Sequence, residues 1–409
     1  MNSPVTEKSS ENLSTASIPS IATNISSNRD ERRLRVAFVI TSMPVGGAET
    51  LLLNLIRGLV QSRFLPELIC LKELGPLGEI LADEIPTKHS VLRSKYDVTI
   101  LYRLVQYFRR NKIDAVITVG AGDKMFWGRL AAKLARVPVI CSALHSTGWP
   151  DGVGRLNRLL TRITDRFIAV ADSHGKFLVE FERFPESKVA IIRNGIDADR
   201  FVPNPSARAT VRTTLGLTPD APLVGIVAAL RPEKNHELFL EVASRTCQVV
   251  PDAQFIIVGE GPERAKIESI IADLGLKSNV RMLGNRSDTP QWLAALDVFL
   301  LTSHNEANPV SILEALACGV PVVSTNVGSI AETVQDGQTG YTVEAGNAEQ
   351  ASRCVLQLLL DSKKAKELGV RGRELVLRTG SLKAMVQGYE KLIEKVYTTK
   401  RRCPRSSIG

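Results

Sequence analysis

Two glutamates, Glu306 and Glu314, stand eight positions apart in the stretch SHNEANPVSILEALACGVPVVSTN. Pro309 suits the first residue of a helix and Asn308 suits its cap. Glu306 then lies in the loop before the helix. Glu314 lies about five residues in, roughly 7–8 Å along the axis at about 1.5 Å per residue. Between them are the free N–H groups of Val310 and Ser311 and the positive end of the helix dipole. Such a helix end is an anion site. A carboxylate on either side suits vicinal hydroxyls, which are paired donors. The arrangement would hold a diphosphate, with a sugar toward Glu306 and a ribose toward Glu314. Spacing alone does not decide this, because a glutamate near a helix start is also simply stabilising.

The segment continues through Ala315-Leu316-Ala317 to Cys318-Gly319-Val320-Pro321-Val322-Val323 and Gly328-Ser329-Ile330-Ala331-Glu332. It resembles the signature of the retaining GT-B glycosyltransferases of family 4. Further matches, in order, are VGGAE at 45–49, RNGID at 193–197, LRPEKNH at 230–236, VGEGPER at 258–264 and MLGNRSD at 282–288. The resemblance extends from Leu34 to about Tyr397.

The resemblance implies a role for each matching residue. Lys234, with Arg231 nearby, would hold the donor diphosphate and neutralise the leaving group. Glu306 would bind hydroxyls of the transferred sugar, and Glu314 the ribose. Gly46 and Gly47 would let backbone approach the phosphate or the acceptor. His145, at the end of the strand ICSALH, would face the cleft near the sugar. Gly284, Asn285 and Arg286 would lie near the base. The implied catalytic set is Glu306, His145 and Lys234. Asn308, Val310 and Ser311 join the donor-binding set. No metal and no cofactor is expected, since positive charge for the departing diphosphate comes from Lys234 and the helix end. Two departures stand out. Ala307-Asn308 replaces the usual Gly-Phe or Ser-Phe after the first glutamate. Ala229 stands where the family often has an arginine, leaving Arg231 as the substitute.

These residues need a frame to hold them. RLRVAFVITSM reads as a strand, PVGGAET as a turn and LLLNLIRGLVQ as a helix. The alternation continues through IDAVITVGAG, MFWGRLAAKLARV, PVICSALH, DRFIAVAD, SHGKFLVEF and VAIIRNGID. FVPNPSA, with two prolines, reads as a linker. Strands and helices then alternate again from PLVGIVAAL to GYTVEA. The expected fold is α/β, with two doubly wound Rossmann-like domains facing a cleft. Residues 34–203 would form the N-terminal domain and residues 204–380 the C-terminal one, with a helix over 381–397 expected to pack back on the first. The resemblance implies that the first meets the acceptor and the second holds the nucleotide-sugar. Residues 1–33, rich in Ser, Asn and Thr, read as a disordered tail, and 398–409 as a second tail.

Composition narrows the class. The 409 residues are 44% hydrophobic and 23% charged, enough for ordinary globular cores. No apolar run approaches the 18–20 residues needed to span a bilayer. The six cysteines form no CxxC pair and no zinc spacing, which suits a reduced, cytoplasmic protein. Net charge is +9, with seven excess basic residues in 34–203 and two in 204–409. Arg155, Arg158, Arg162 and Arg166 would form a basic helical stripe, suited to an anionic membrane surface or simply to solvent. Aromatics are only 5%, with no stacking platform, so nucleic acid is not an expected partner. The expected partners are a nucleotide-sugar donor and a saccharide or lipid-linked acceptor, in polysaccharide or glycolipid synthesis. A non-catalytic scaffold and a GT-B epimerase are the alternatives.

Overall fold

The computed structural model of the chain describes residues 32–60, 63–94, 97–120, 125–145 and 158–402. The N-terminal tail almost entirely, Arg155 and the last residues from 403 lie outside the described residues.

The first sheet comprises β1 (Leu34–Ile40), β2 (Phe64–Cys70), β3 (Thr87–Lys88), β4 (Ala115–Val119), β5 (Val139–Ala143), β6 (Arg166–Ala169) and β7 (Val189–Ile191). Its order is β3-β2-β1-β4-β5-β6-β7, and every pairing is parallel. Val36, Phe38, Ala115, Ile117, Val139 and Cys141 are wholly buried, because helices cover both faces. The second sheet comprises β8 (Leu223–Val227), β9 (Gln254–Val258), β10 (Val280–Gly284), β11 (Val298–Leu301), β12 (Val322–Thr325) and β13 (Gly340–Val343). Its order is β10-β9-β8-β11-β12-β13, again all parallel. Both sheets are doubly wound, as the alternation predicts. Each reverses direction once, at β1/β4 and at β8/β11. Ligands of such sheets lie beyond the carboxyl ends of the strands at these points.

Carboxylates fix the opposite ends. Asp114 accepts from Arg35 N and Asp165 from Ile140 N at the strand starts of the first sheet. Asp297 does the same for Leu223 N while pairing with Arg208 and Arg212. Both arginines sit on the helix Pro205–Thr214, which Asn204 caps through Ala207 N at 2.9 Å. The expected linker FVPNPSA therefore ends at Asn204. Pro205 opens a helix because its missing N–H is no loss in the first turn.

The helix Gly47–Val60 starts four residues earlier than the apolar period suggests, and Leu51, Leu52, Leu55, Ile56 and Leu59 pack it onto the sheet. The last helix, Leu382–Arg402, lies against it. A Cβ on Gly58 would fall 2.5 Å from Val386, so the two helices meet at close range. The chain reaches this position beside Ile196, whose N–H donates to Gly380 O while its carbonyl accepts from Leu382 N.

The expected basic stripe does not form. Arg162 ends a 3₁₀ turn over Leu160–Arg162, and Arg166 is already in β6, whose pairing with β5 and β7 prevents a continuing helix. Arg158 instead pairs at 2.9 Å with Glu182, which is fully buried.

Candidate active site

The loop after β11 carries Glu306, only 8% exposed. Its Oε1 accepts from Lys234 Nζ at 2.6 Å and from Ser303 Oγ at 2.7 Å. Lys234 closes a 3₁₀ turn, Pro232–Lys234, beyond β8. The two loops are fastened together. Thr302 Oγ1 donates to the carbonyls of Lys234 and Asn235, and His304 N donates to Glu233 O. Asn235 takes a left-handed conformation at φ 50° and caps the helix His236–Val249 through Leu238 N. Behind Glu306, Gly328 comes so close that a Cβ there would fall 1.6 Å from Glu306 O. With φ +56° as well, only glycine fits. Thus Glu306 is held by a cation, a hydroxyl and the backbone behind it.

The helix Val310–Ala317 begins one residue later than expected. Pro309, at φ −70° and ψ 117°, is extended and takes the capping position. Asn308 does not cap it. Its Nδ2 donates to Val170 O at the end of β6, at 3.0 Å, and its carbonyl accepts from Asn194 Nδ2 at 2.9 Å. Asn308 Oδ1 is buried with no protein partner. Val310 and Ser311 occupy the first turn, whose amides have no carbonyl within the helix. Glu314 is half-buried, and burial pushes its carboxyl up to about 7 against the pull of Arg200.

From the first sheet, the turn after β1 brings Gly46 and Gly47 to this helix end. A Cβ on Gly47 would sit 3.5 Å from Val310 Cγ2, so the two halves of the molecule touch here. Neither glycine has a left-handed φ, so what they provide is a lack of bulk. Glu49, in the first turn of the helix that follows, is raised above the usual carboxylate range by burial, with Arg231 opposing. Arg231 itself is exposed, 3.9 Å from Glu233. Hence Arg231 stands among carboxylates from both halves.

His145 follows β5. Its Nδ1 is buried without a partner, and burial, with His174 adding to it, holds the imidazole down at about 4. It is neutral at physiological pH. Asn285 and Arg286 follow β10, three strands from β11, or roughly 14 Å at ordinary strand spacing. Both are exposed, and Arg286 pairs with Asp288 at 2.7 Å over the ring of Trp292. Lys234, in the loop after β8, is two strands from β10. The glycines of VGEGPER do structural work. A Cβ on Gly259 or Gly261 would strike the carbonyls of Ala228 and Leu230, so these glycines pack their loop against the one that leads to Lys234.

Ser303, Asn194, Glu49 and Glu332 carry no role that their local sequence shows. Asn194, Glu49 and Glu332 lie in motifs already singled out, but their partners are far away in the chain. Among the described residues no three His, Cys, Asp or Glu gather as a metal-ligand set. Nor is any helix there long and apolar enough to cross a membrane.

Residues 208–375 match the family described as Glycosyl transferases group 1, and residues 45–200 match Glycosyltransferase Family 4. The chain belongs to the family 4 GT-B glycosyltransferases. It is similar to the UDP-Gal:alpha-D-GlcNAc-diphosphoundecaprenol alpha-1,3-galactosyltransferase of Escherichia coli, 26% identical over 86% of this chain and 96% of that one. It also resembles a GDP-mannose-dependent alpha-(1-6)-phosphatidylinositol monomannoside mannosyltransferase of Mycolicibacterium smegmatis, 28% identical over 68% of this chain and 76% of that one. The fold of this glycosyltransferase matches the Anabaena HepE crystal structure with UDP, at TM-score 0.78 and 22% identity over 88% of this chain and all of that one.

Proposed function

We propose that this glycosyltransferase moves a sugar from a UDP- or GDP-linked donor to a saccharide or lipid-linked acceptor, with retention at the anomeric carbon and no metal. The relatives named above use UDP- and GDP-linked donors and lipid-linked acceptors, by their names. The observation that carries the reading is the Lys234–Glu306 pair beside the open first turn of the 310–317 helix. On donor binding, Lys234 and the amides of Val310 and Ser311 take the diphosphate. Their positive charge stabilises it as the C1–O bond breaks. Glu306 and His145 orient the sugar, the neutral imidazole donating or accepting a hydrogen bond. Glu314 accepts from the ribose hydroxyls. Glu306 is engaged by Lys234 and Ser303, which suits a sugar-holding role better than nucleophilic attack. In the proposed step the acceptor oxygen attacks C1 on the face the phosphate leaves, and its proton passes to the departing phosphate oxygen. On this reading the protein is peripheral to the cytoplasmic side of a membrane, where relatives' lipid-linked acceptors, by their names, would be met.

The test is binding of a panel of UDP- and GDP-sugars in EDTA, to wild type, Lys234→Ala and Glu314→Ala. Binding of one nucleotide class without metal, weakened in both variants, supports the reading. Binding that ignores both substitutions overturns the site assignment. Binding without transfer or donor hydrolysis favours a scaffold.

A further inference from the structure

The helix Asp172–Glu180 belongs to the first half and has Ala171 at its capping position, where a methyl group accepts nothing. Its first amides are satisfied from the other half. One oxygen of Glu332 accepts from Asp172 N at 3.0 Å. The other accepts from Ser173 N and Ser173 Oγ, both at 2.6 Å. Burial works to raise the Glu332 carboxyl, yet these donors and Arg193 hold it below the usual range, so it meets the helix as a carboxylate.

Both sides of this contact are tied to the site. Glu332 sits on the short helix Ile330–Thr333, directly after Gly328 and Ser329. Gly328 packs on the carbonyl of Glu306, and Ser329 Oγ donates to that of Ala307. On the other side, His174 lies on the 172–180 helix, its Nδ1 accepting from Val170 N at 3.3 Å, and it acts electrostatically on His145. Val170 O also receives Asn308 Nδ2. Segment 170–173 therefore accepts a hydrogen bond from the residue two beyond Glu306 and donates hydrogen bonds to the carboxylate of Glu332.

The geometry points to Glu332 as the latch of the closed cleft. It is a positioning residue whose carboxylate caps the 172–180 helix only when the halves meet, so that closure sets Glu306 and His145 against one another. With the halves apart these amides would have only water, so the contact with Glu332 favours closure. The proposal rests on the transfer reaction above for its kinetic consequence, but not for its structural one.

The test uses the full chain as wild type, Glu332→Gln and Glu332→Ala. Small-angle scattering reads the opening, and a UDP- or GDP-sugar assay reads the partition between transfer and hydrolysis. The expected result is a larger radius of gyration in E332A, with E332Q in between. The ratio of hydrolysis to transfer should rise at least tenfold in E332A, because an unlatched cleft admits water. Its kcat should fall more than its donor KM rises. E332Q keeps the shape of the side chain and covers the case in which E332A does not fold. Unchanged scattering and an unchanged partition in both variants would overturn the latch. If the wild type transfers from no donor, the transfer reading fails, while the scattering still decides the latch.

Discussion

Replacing Lys234 by methionine separates what the Lys234–Glu306 pair does for the fold from what it does for the donor. The lysine side chain is 23% exposed and the glutamate 9%, so the pair is largely shielded from water. Breaking a buried pair from one side costs about 3–5 kcal/mol, and the partial exposure of Lys234 places this case at about 2–3 kcal/mol. K234M leaves Glu306 with Ser303 as its remaining partner, so its melting temperature should fall. The double variant K234M/E306Q removes the stranded charge and should regain most of that loss. Transfer should behave differently. On the proposed reaction Lys234 is the cation that meets the diphosphate, and one such donor contributes about 10²–10³ in kcat. Both K234M and the double variant should therefore lose at least about a hundredfold in kcat/KM. Melting curves and initial rates on the three proteins check this together. Should the double variant recover transfer along with stability, Lys234 serves only as a counter-ion for Glu306, and the reasoning is refuted.

Glu314 gives a pH dependence. Its carboxyl is raised to about 7, so it is largely protonated at pH 6 and largely ionised at pH 8. The ionised form accepts ribose hydroxyls better, so donor affinity should rise across that window and E314Q should flatten the rise; titrating donor binding at pH 6, 7 and 8 checks it. Arg200→Ala, by removing the opposing charge, should move the inflection upward in the same titration. His145 is held at about 4, so its NMR titration should show no change between pH 5.5 and 8, and an inflection near 6.5 would contradict its buried, neutral state. Gly328→Ala places a methyl against Glu306 O at a left-handed φ, which should cost about 2–5 kcal/mol and lower the melting temperature together with donor binding.

Much of the frame is legible in the chain itself. Parallel strands covered on both faces need continuous apolar runs such as LRVAFVI and VFLL, and these stand out against the helical periods between them. The helix Val310–Ala317 is legible too, because proline before an apolar run marks a helix start within a residue or so. Asn308 has the residue type and position of a cap, since asparagine caps helices whenever nothing better is offered. Here Val170 O, just beyond β6 in the other half, takes its amide instead. The arginines at 155–166 mimic a stripe by spacing, but strand pairing at Arg166 overrides local helical preference.

The inventory and its local order are written along the chain: two α/β halves, a helix end flanked by Glu306 and Glu314, and a basic loop at 231–234. Each of these is set by residues within about ten positions of one another, where propensity, capping and periodicity act. Only the tertiary structure decided the partners. Lys234 meets Glu306 across 72 positions, Asn308 meets Val170 across 138 and Glu332 meets Asp172 across 160. A charge or a hydrogen-bonding group carries no mark of which distant group it will meet. That is fixed when the buried sheets bring their carboxyl ends together, and the cost of leaving a buried polar group unsatisfied then selects the pairs.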